Sequence, residues 1–361
     1  MLNKARGKNK KKTYFGKLSL SERSFFVSNL SIMLHSGLSI TESLDVIGEQ
    51  SRGLLKIINL DILNSVLSGT NLADSFARHP KIFSNLFISI VRAGEISGNL
   101  EKNLSSLANQ LEKEKELSDK IKNAMIYPLV ILIMSFVIGI GLSIFVLPKI
   151  TPIFESLRVD LPASTRFLIS FSNYVENNSV LFLIETFGSM FFLFWFLKQK
   201  FVKPLTHFFV LNLPLLKNIS QYNNLARFSR TLSSLLKSGI SIDESLLIVS
   251  TTLNNIYYRN SVKSIYLKVL SGDKLSEAMI EQGKYFTKLT VSMLRVAEKA
   301  GTLEQTLENI AVINERKLDY ATKRLSVLIE PFLLIFVGLI VGWLAISIIS
   351  PIYQITGSVY K

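Results

Sequence analysis

Two spacings in this chain set a cation and a carboxylate one helical turn apart: Arg92, Glu95 and Gly98, and again Arg295, Glu298 and Gly301, both reading Arg-x-x-Glu-x-x-Gly. On a helix, residues three apart share a face, so each Arg and Glu can pair, an interaction worth about 0.3 kcal/mol. Contact of the two carboxylates with a partner, or with one another across two domains, is the alternative that these residues leave open. Two further carboxylates stand inside apolar runs. Glu185 falls about a third of the way into one and Glu330 near the start of another. An ionised group at such a depth in a bilayer costs about 2.5 to 3.5 kcal/mol on insertion scales, so it faces protein or water and marks function. Such a group would hold a basic or amino group or steady a bundle of helices, although Glu330 is near enough to the edge to reach the interface. None of these groups builds a reaction centre. The chain has no cysteine, and His35, His79 and His207 are scattered without ligand spacing. Neither a G-x-x-x-x-G-K-S/T nucleotide loop nor an H-E-x-x-H zinc motif occurs. The expectation is a protein that is not an enzyme and holds neither cofactor nor metal.

The elements that must carry these residues follow from hydropathy and charge. The mean hydropathy is +0.34 and 48% of residues are hydrophobic, more than one soluble core of this size needs. Residues 124–147 carry no charge, residues 327–349 carry only Glu330, and residues 180–197 form a shorter run interrupted by Glu185. A spanning helix needs about 20 apolar residues, so three transmembrane helices are expected. The net charge of +14 then orients them. Residues 1–123 hold 18 basic and 12 acidic groups, residues 198–326 hold 19 and 10, and residues 148–179 hold three of each. Basic excess marks the cytoplasmic side, which places a domain at 25–123 and another at 198–326 inside, and the 148–179 loop and the 350–361 tail outside. The lysine-rich residues 1–24 lack the apolar core of a signal peptide and read as a tail near anionic lipid. Nucleic acid is not an expected partner, because the positive charge is spread over both domains without interleaved aromatics.

A repeat organises the chain. Residues 29–46, NLSIMLHSGLSITESLDV, match residues 231–248, TLSSLLKSGISIDESLLI, at 10 of 18 positions, and residues 67–108 match 270–311 at 15 of 42. Pro128 and Pro148 stand 203 residues before Pro331 and Pro351. Each copy is therefore a helical domain leading into a membrane helix, with the middle span returning the chain to the inside. Gly37 and Gly239 are expected to end helices in the left-handed conformation, with Ser39–Glu42 and Ser241–Glu244 forming capping boxes for the next. Gly98 and Gly301 should do the same ahead of Asn99 and Thr302. Leu100, Leu104, Leu107 and Leu111, or Leu303, Leu307 and Ile310, recur at helical spacing, and no strand pattern competes. Pro128 and Pro331 read as first-turn prolines that start their spans, where a missing amide donor is tolerated. Gly338 and Gly342 have the small-x-x-x-small spacing of packed membrane helices.

These residues resemble the general secretion F family, the inner-membrane platform of type II secretion, type IV pilus and competence pseudopilus systems. The resemblance covers nearly the whole chain. It rests on the run from Lys120 through Tyr127-Pro128 to Leu147-Pro148, on the repeated Arg-x-x-Glu-x-x-Gly, and on Glu330-Pro331. The short lysine-rich region before Phe25 and the short second span depart from it. The resemblance implies an all-α integral membrane protein with two homologous cytoplasmic helical bundles, acting as a homo-oligomer. It further implies partners: a cytosolic motor ATPase, the transmembrane helices of pilin or pseudopilin subunits, other inner-membrane assembly proteins and lipid. The rival reading is a transporter or channel subunit, which would require more polar groups in the spans than the two glutamates present.

Overall fold

The computed structural model describes residues 18–141, 145, 149, 152, 163–197, 199 and 202–359. The basic tail through Lys17, Pro148 and most of the loop from 148 to 162 lie outside the described residues. All regular structure among the described residues is helical, and it divides into two compact units. One is built from residues up to Ser118 together with Tyr222–Glu315, the other from Asp119–Gln221 with Arg316 onward.

The first unit contains both repeats. In copy 1, α1 (Leu20–His35), α2 (Ile40–Gln50), α3 (Gly53–Leu67), α4 (Leu72–Ala77) and α5 (Asn85–Ser97) precede the start of α6 (Leu100–Gly141). Copy 2 has the second half of α10 (Pro214–Lys237), then α11 (Ile242–Thr252), α12 (Ile256–Leu270), α13 (Leu275–Ile280), α14 (Lys288–Ala300) and the start of α15 (Leu303–Val359). The lengths match in pairs: α2 and α11 have 11 residues each, α3 and α12 have 15, α4 and α13 have 6, and α5 and α14 have 13. Their cores correspond as well. Phe26 and Phe83 lie 6.1 Å apart by ring centroid in copy 1, and Phe228 and Phe286, at the equivalent positions, 5.2 Å apart in copy 2. All four rings are almost fully buried, and aromatic pairs at such separations add to the burial of their area. Phe76 and Phe87 complete the cluster in copy 1, with ring centroids 4.8 Å apart.

The corners are built as their sequences require. Gly98 and Gly301 both adopt φ of 69°, the left-handed region closed to most residues with a Cβ. The carbonyls of Asn99 and Thr302 then accept the amides of Asn103 and Thr306 to open α6 and α15. Ser39 and Glu42 form the full capping box ahead of α2. The equivalent box in copy 2 does not form, and Ser241 makes no side-chain cap bond. The reason is local: where copy 1 has Thr41, copy 2 has Asp243, whose carboxylate takes the Ser241 hydroxyl and is held below its ordinary pKa by that bond.

The second unit comprises the remainder of α6 and α15 with α7 (Ala163–Asn177), α8 (Ser179–Leu197), α9 (Lys203–Asn212) and the start of α10. Many of its described large apolar residues face outward: Ile133, Phe136 and Val137 on α6, Phe187 and Phe191 on α8, Leu334 and Leu339 on α15 are all exposed. Among the described residues one helix, over Leu100–Ile138, is long and apolar enough to cross a membrane, and Val180–Ser189 is a shorter apolar stretch. The first-turn reading of the prolines is overturned here. Pro128 lies deep in the 42-residue α6, and Pro331 and Pro351 lie inside the 57-residue α15, so they do not initiate helices. Each proline removes one donor from the helical ladder. In an apolar surrounding a break would strand several backbone groups, so continuing the helix past one missing bond is the less costly outcome.

The glycine corners give a direct test. An added Cβ at Gly98 or Gly301 meets nothing within 4 Å, so only the backbone conformation is penalised. Gly98→Ala and Gly301→Ala are each expected to lower stability by about 1 kcal/mol, with Asn in either place recovering part of it, measured by thermal unfolding of the full chain in detergent.

Candidate functional site

The repeated glutamates do not pair with the arginines beside them in sequence. Glu95 reaches back across the fold, and its carboxylate accepts the backbone amides of Leu72 at 2.5 Å and Ala73 at 2.9 Å, the first residues of α4. Glu298 repeats this on α13, accepting the amides of Leu275 at 2.5 Å and Ser276 at 3.2 Å and the Ser276 hydroxyl. Helix N-termini carry unsatisfied donors and partial positive charge, so a carboxylate at that point satisfies both needs. A six-residue helix is too short to be stable alone, and Glu95 and Glu298 supply the tertiary cap for one in each copy. Arg92 pairs instead with Asp74 on α4 at 2.7 Å, while Arg295 is exposed on α14. The intrahelical Arg–Glu pair is therefore replaced by a cap, and the spacing encodes a corner: glutamate to hold the preceding short helix, glycine to end its own.

Sequence reading missed the densest polar cluster, which lies on α10 where the two copies meet in the first unit. Three contacts run antiparallel from α6 of copy 1 to α10 of copy 2: Ser106 with Ser234 at 3.3 Å, Gln110 with Thr231 at 3.2 Å, and Glu114 with Arg227 at 2.7 Å. On another side of α10, the buried Arg230 donates to Glu315 at 2.5 Å and to Glu308 at 2.7 Å, both on α15. Burial works against the Arg230 charge, but the hydrogen bonds and charges of Glu315 and Glu308 outweigh it and hold its pKa above the ordinary value. Burial likewise opposes ionisation of Glu308, and the charges of Arg230 and Lys237 overcome that and lower its pKa. Beside these pairs is a cleft of about 240 Å³, lined among others by Gln110, Glu114, Arg227, Arg230, Thr251 and Glu315. The signal available in sequence was slight. Glu308 and Glu315 are seven apart and so share a helix face, and Arg230 stands where copy 1 has Ser28.

No nucleophile and base are set against each other in this cluster, and among the described residues no group of three or more His, Asp or Glu is placed to hold a metal. What the arrangement does is hold three helices in register. α10 is fixed to α6 by one polar ladder and to α15 by a buried ion triad.

In the second unit, Glu185 on α8 accepts a hydrogen bond from the Tyr174 hydroxyl of α7 at 2.7 Å and is otherwise exposed. Tyr127 is exposed on α6. Glu330 precedes Pro331 within α15. The sequence-derived residues thus do not converge: Glu95, Gly98, Glu298 and Gly301 shape corners of the bundles, while Glu185, Glu330, Tyr127 and the prolines lie on the apolar helices.

Removing Arg230 leaves Glu315 without that cation and Glu308 with Lys237 alone. Arg230→Met is expected to destabilise the full chain by about 3 kcal/mol, and adding Glu308→Gln and Glu315→Gln to it should recover most of the loss; thermal unfolding in detergent reads both. The lowered pKa of Glu308 means that its contribution is complete above the ordinary carboxylate value and is lost as pH falls through the native one. Glu308→Gln should therefore flatten the decline in stability between about pH 5 and pH 3, measured by unfolding at stepped pH.

Comparison with known proteins meets this geometry at both repeats. The family model described as type II secretion system (T2SS), protein F matches residues 26–148 and again 228–351, two blocks that each run from a helical bundle into the following apolar helix. The chain is 33% identical over 348 residues to type IV pilus assembly protein PilC of Thermus thermophilus, covering 94% of this chain and 84% of that protein. It is 32% identical over 342 residues to type II secretion system protein F of Aeromonas hydrophila, covering 94% and 88%. With PilC of Pseudomonas aeruginosa the identity is 30% over 335 residues, covering 91% and 88%. Two matched copies and relatives aligned over nearly their whole length establish the assignment: the chain belongs to the type II secretion system protein F family, whose members here serve type IV pilus assembly and type II secretion.

Proposed function

We propose that this protein is the inner-membrane platform of a type IV pilus or type II secretion-like assembly machine, coupling a cytosolic motor ATPase to the polymerisation of pilin or pseudopilin subunits. The observation that carries the reading is the joint one of family and architecture: both family-matched copies are helical bundles whose last helix continues into an apolar stretch. In this reading the apolar runs at 124–147, 180–197 and 327–349 all span the membrane. Both bundles lie in the cytoplasm and the C-terminus outside, as the distribution of basic residues supports.

The platform has no reaction of its own to catalyse. The motor supplies the work, and the bundles receive it at the cytoplasmic face. An unbroken helix suits this role, because a rigid element passes on a displacement that a flexible joint would absorb. Glu185 and Glu330, on the apolar helices, are the groups placed to meet a basic or amino group on an entering pilin helix or to steady the spans against one another. Glu95 and Glu298, with Arg92 through Asp74, act one step removed, by holding the corners of the bundles that the motor would contact, while the exposed Arg295 is placed to meet a partner directly.

Deleting the gene and scoring surface filaments, DNA uptake and exported proteins tests the assignment. Loss of at least one of the three, restored by the full chain, is expected; a strain unchanged in all three would refute the platform role. The absence of native cysteine makes topology equally accessible. Single cysteines placed at exposed Arg92 and Arg295 should resist a membrane-impermeant maleimide in intact cells and react after lysis. Labelling of either in intact cells would overturn the orientation.

A further inference from the structure

The stretch that leaves α8 has a charge pattern of its own. From Thr186 to Ala226 the sequence holds no Asp or Glu, and its charged residues are Lys198, Lys200, Lys203 and Lys217. Within that stretch lies α9, which belongs to the compact unit that contains α8. The connection between the two helices is tight. The Gln199 amide donates to the Phe196 carbonyl at 3.0 Å, the Val202 amide to the Gln199 carbonyl at 3.2 Å, and the Thr206 amide to the Val202 carbonyl at 2.9 Å. Two short turns thus run directly into the first turn of α9, so this helix starts close to the end of α8. Trp195, 52% exposed, and Phe196, also exposed, stand in the last turn of α8, and aromatic rings at the end of an apolar helix mark the level of the lipid headgroups.

The spacing of α9 makes it amphipathic. Lys203, Thr206 and His207 recur three and four apart, and so do Leu205, Phe208 and Phe209, which puts the polar and the apolar residues on opposite sides of a helix. Leu205 and Phe208 are 56% and 47% exposed, and Leu213, just past the helix, is 48% exposed. Val202, just before it, is buried. The segment is therefore seated on the protein at its start and presents apolar side chains outward along its length. Its 10 residues are half of what a span requires. A short helix with lysine beside an exposed apolar face is the kind that lies in the plane of a membrane surface.

We propose that α9 lies along the cytoplasmic surface of the bilayer and binds anionic lipid, with Leu205 and Phe208 among the upper acyl chains and the neighbouring lysines on headgroup phosphates. The inference rests on the reading that α8 crosses the membrane and ends inside. Charge complementarity selects this occupant, because four lysines with no carboxylate among them in sequence match a surface of phosphates. Continuity with the span supports it as well. Exposed apolar side chains run along α8 from Ile184 through Phe187 and Phe191 to Trp195, and resume at Leu205. The 198–326 domain then begins on the membrane surface, and the anionic lipid content of the bilayer sets how firmly the chain ahead of α10 is held there.

Depth-dependent quenching in the reconstituted full chain tests this, in phosphatidylcholine vesicles with and without about 30% phosphatidylglycerol. Because the chain has no cysteine, Leu205→Cys or Phe208→Cys takes a single nitrobenzoxadiazole label, and Ser189→Cys in the middle of α8 takes a reference label. In anionic vesicles a doxyl group near the headgroup should quench the Leu205 and Phe208 labels about twofold more than one deep in the acyl chain, and the Ser189 label should show the reverse order. Without anionic lipid the quenching on α9 should fall about threefold, and Lys203→Gln with Lys217→Gln should bring it to that level in anionic vesicles. The Ser189 label should be unchanged by those substitutions, which separates lost lipid binding from lost fold. A Ser189 label out of reach of the deep quencher would refute the span, and the inference with it. Unquenched labels on α9 beside a quenched Ser189 label would overturn the inference alone, and so would quenching on α9 that is the same with and without anionic lipid.

Discussion

Arg230 is a guanidinium buried in a helical core, and the rest of the first unit is arranged around its need for counter-charge. A buried cation without partners is prohibitive, whereas one gripped by two carboxylates is tolerable. Glu308 and Glu315 meet that need from α15, which fixes the rotation of α15 about its axis against α10. With that rotation set, the neighbouring face of α10 presents Arg227, Thr231 and Ser234 to α6. The long helix of each copy is thus registered on a single helix of copy 2. Polar contacts specify register better than apolar ones do, because they fail when shifted by one turn, and this seam is where a two-copy protein most needs a unique solution.

Duplication and asymmetry coexist for a physical reason. The glycine corners, the glutamate caps and the aromatic core are internal to each copy, so they are the same in both. Gly98 and Gly301 share one backbone conformation, and Glu95 and Glu298 cap the equivalent short helix in each copy. The surfaces are free to diverge once the copies are joined, and they have done so where one copy meets the other. Ser28, Phe25 and Ile32 in one copy stand opposite Arg230, Arg227 and Ser234 in the other. A gene duplication thus yields a scaffold with two nearly identical cores and surfaces that differ where the copies meet.

The continuity of α6 and α15 bears on how such a hub works. Each passes from amphipathic positions that pack a bundle to positions that are apolar all round, without a break at Pro128 or Pro331. A proline in water-exposed helix ends the helix readily because water satisfies the freed carbonyls. In hydrocarbon there is no such solvent, and the same residue becomes a tolerated irregularity.

The amino-acid sequence alone determined the helical class, the twofold repeat, the glycine corners and the family, because each depends on spacing or composition that a linear text preserves. Leu100, Leu104 and Leu107 face one way in any helix, and Gly98 three residues after Glu95 marks an end wherever the helix packs. The sequence could not say what Glu95 holds, since the amides of Leu72 and Ala73 lie more than twenty residues away and come near only when α4 folds back. Nor could it show that Ser241 would donate to the Asp243 carboxylate without accepting an amide of α11, an outcome decided by local geometry. The pairing of Arg230 with Glu308 and Glu315, and the unequal faces through which the copies meet, belong wholly to the tertiary structure. They join residues more than seventy positions apart, and only packing determines which of many possible charge partners is reached.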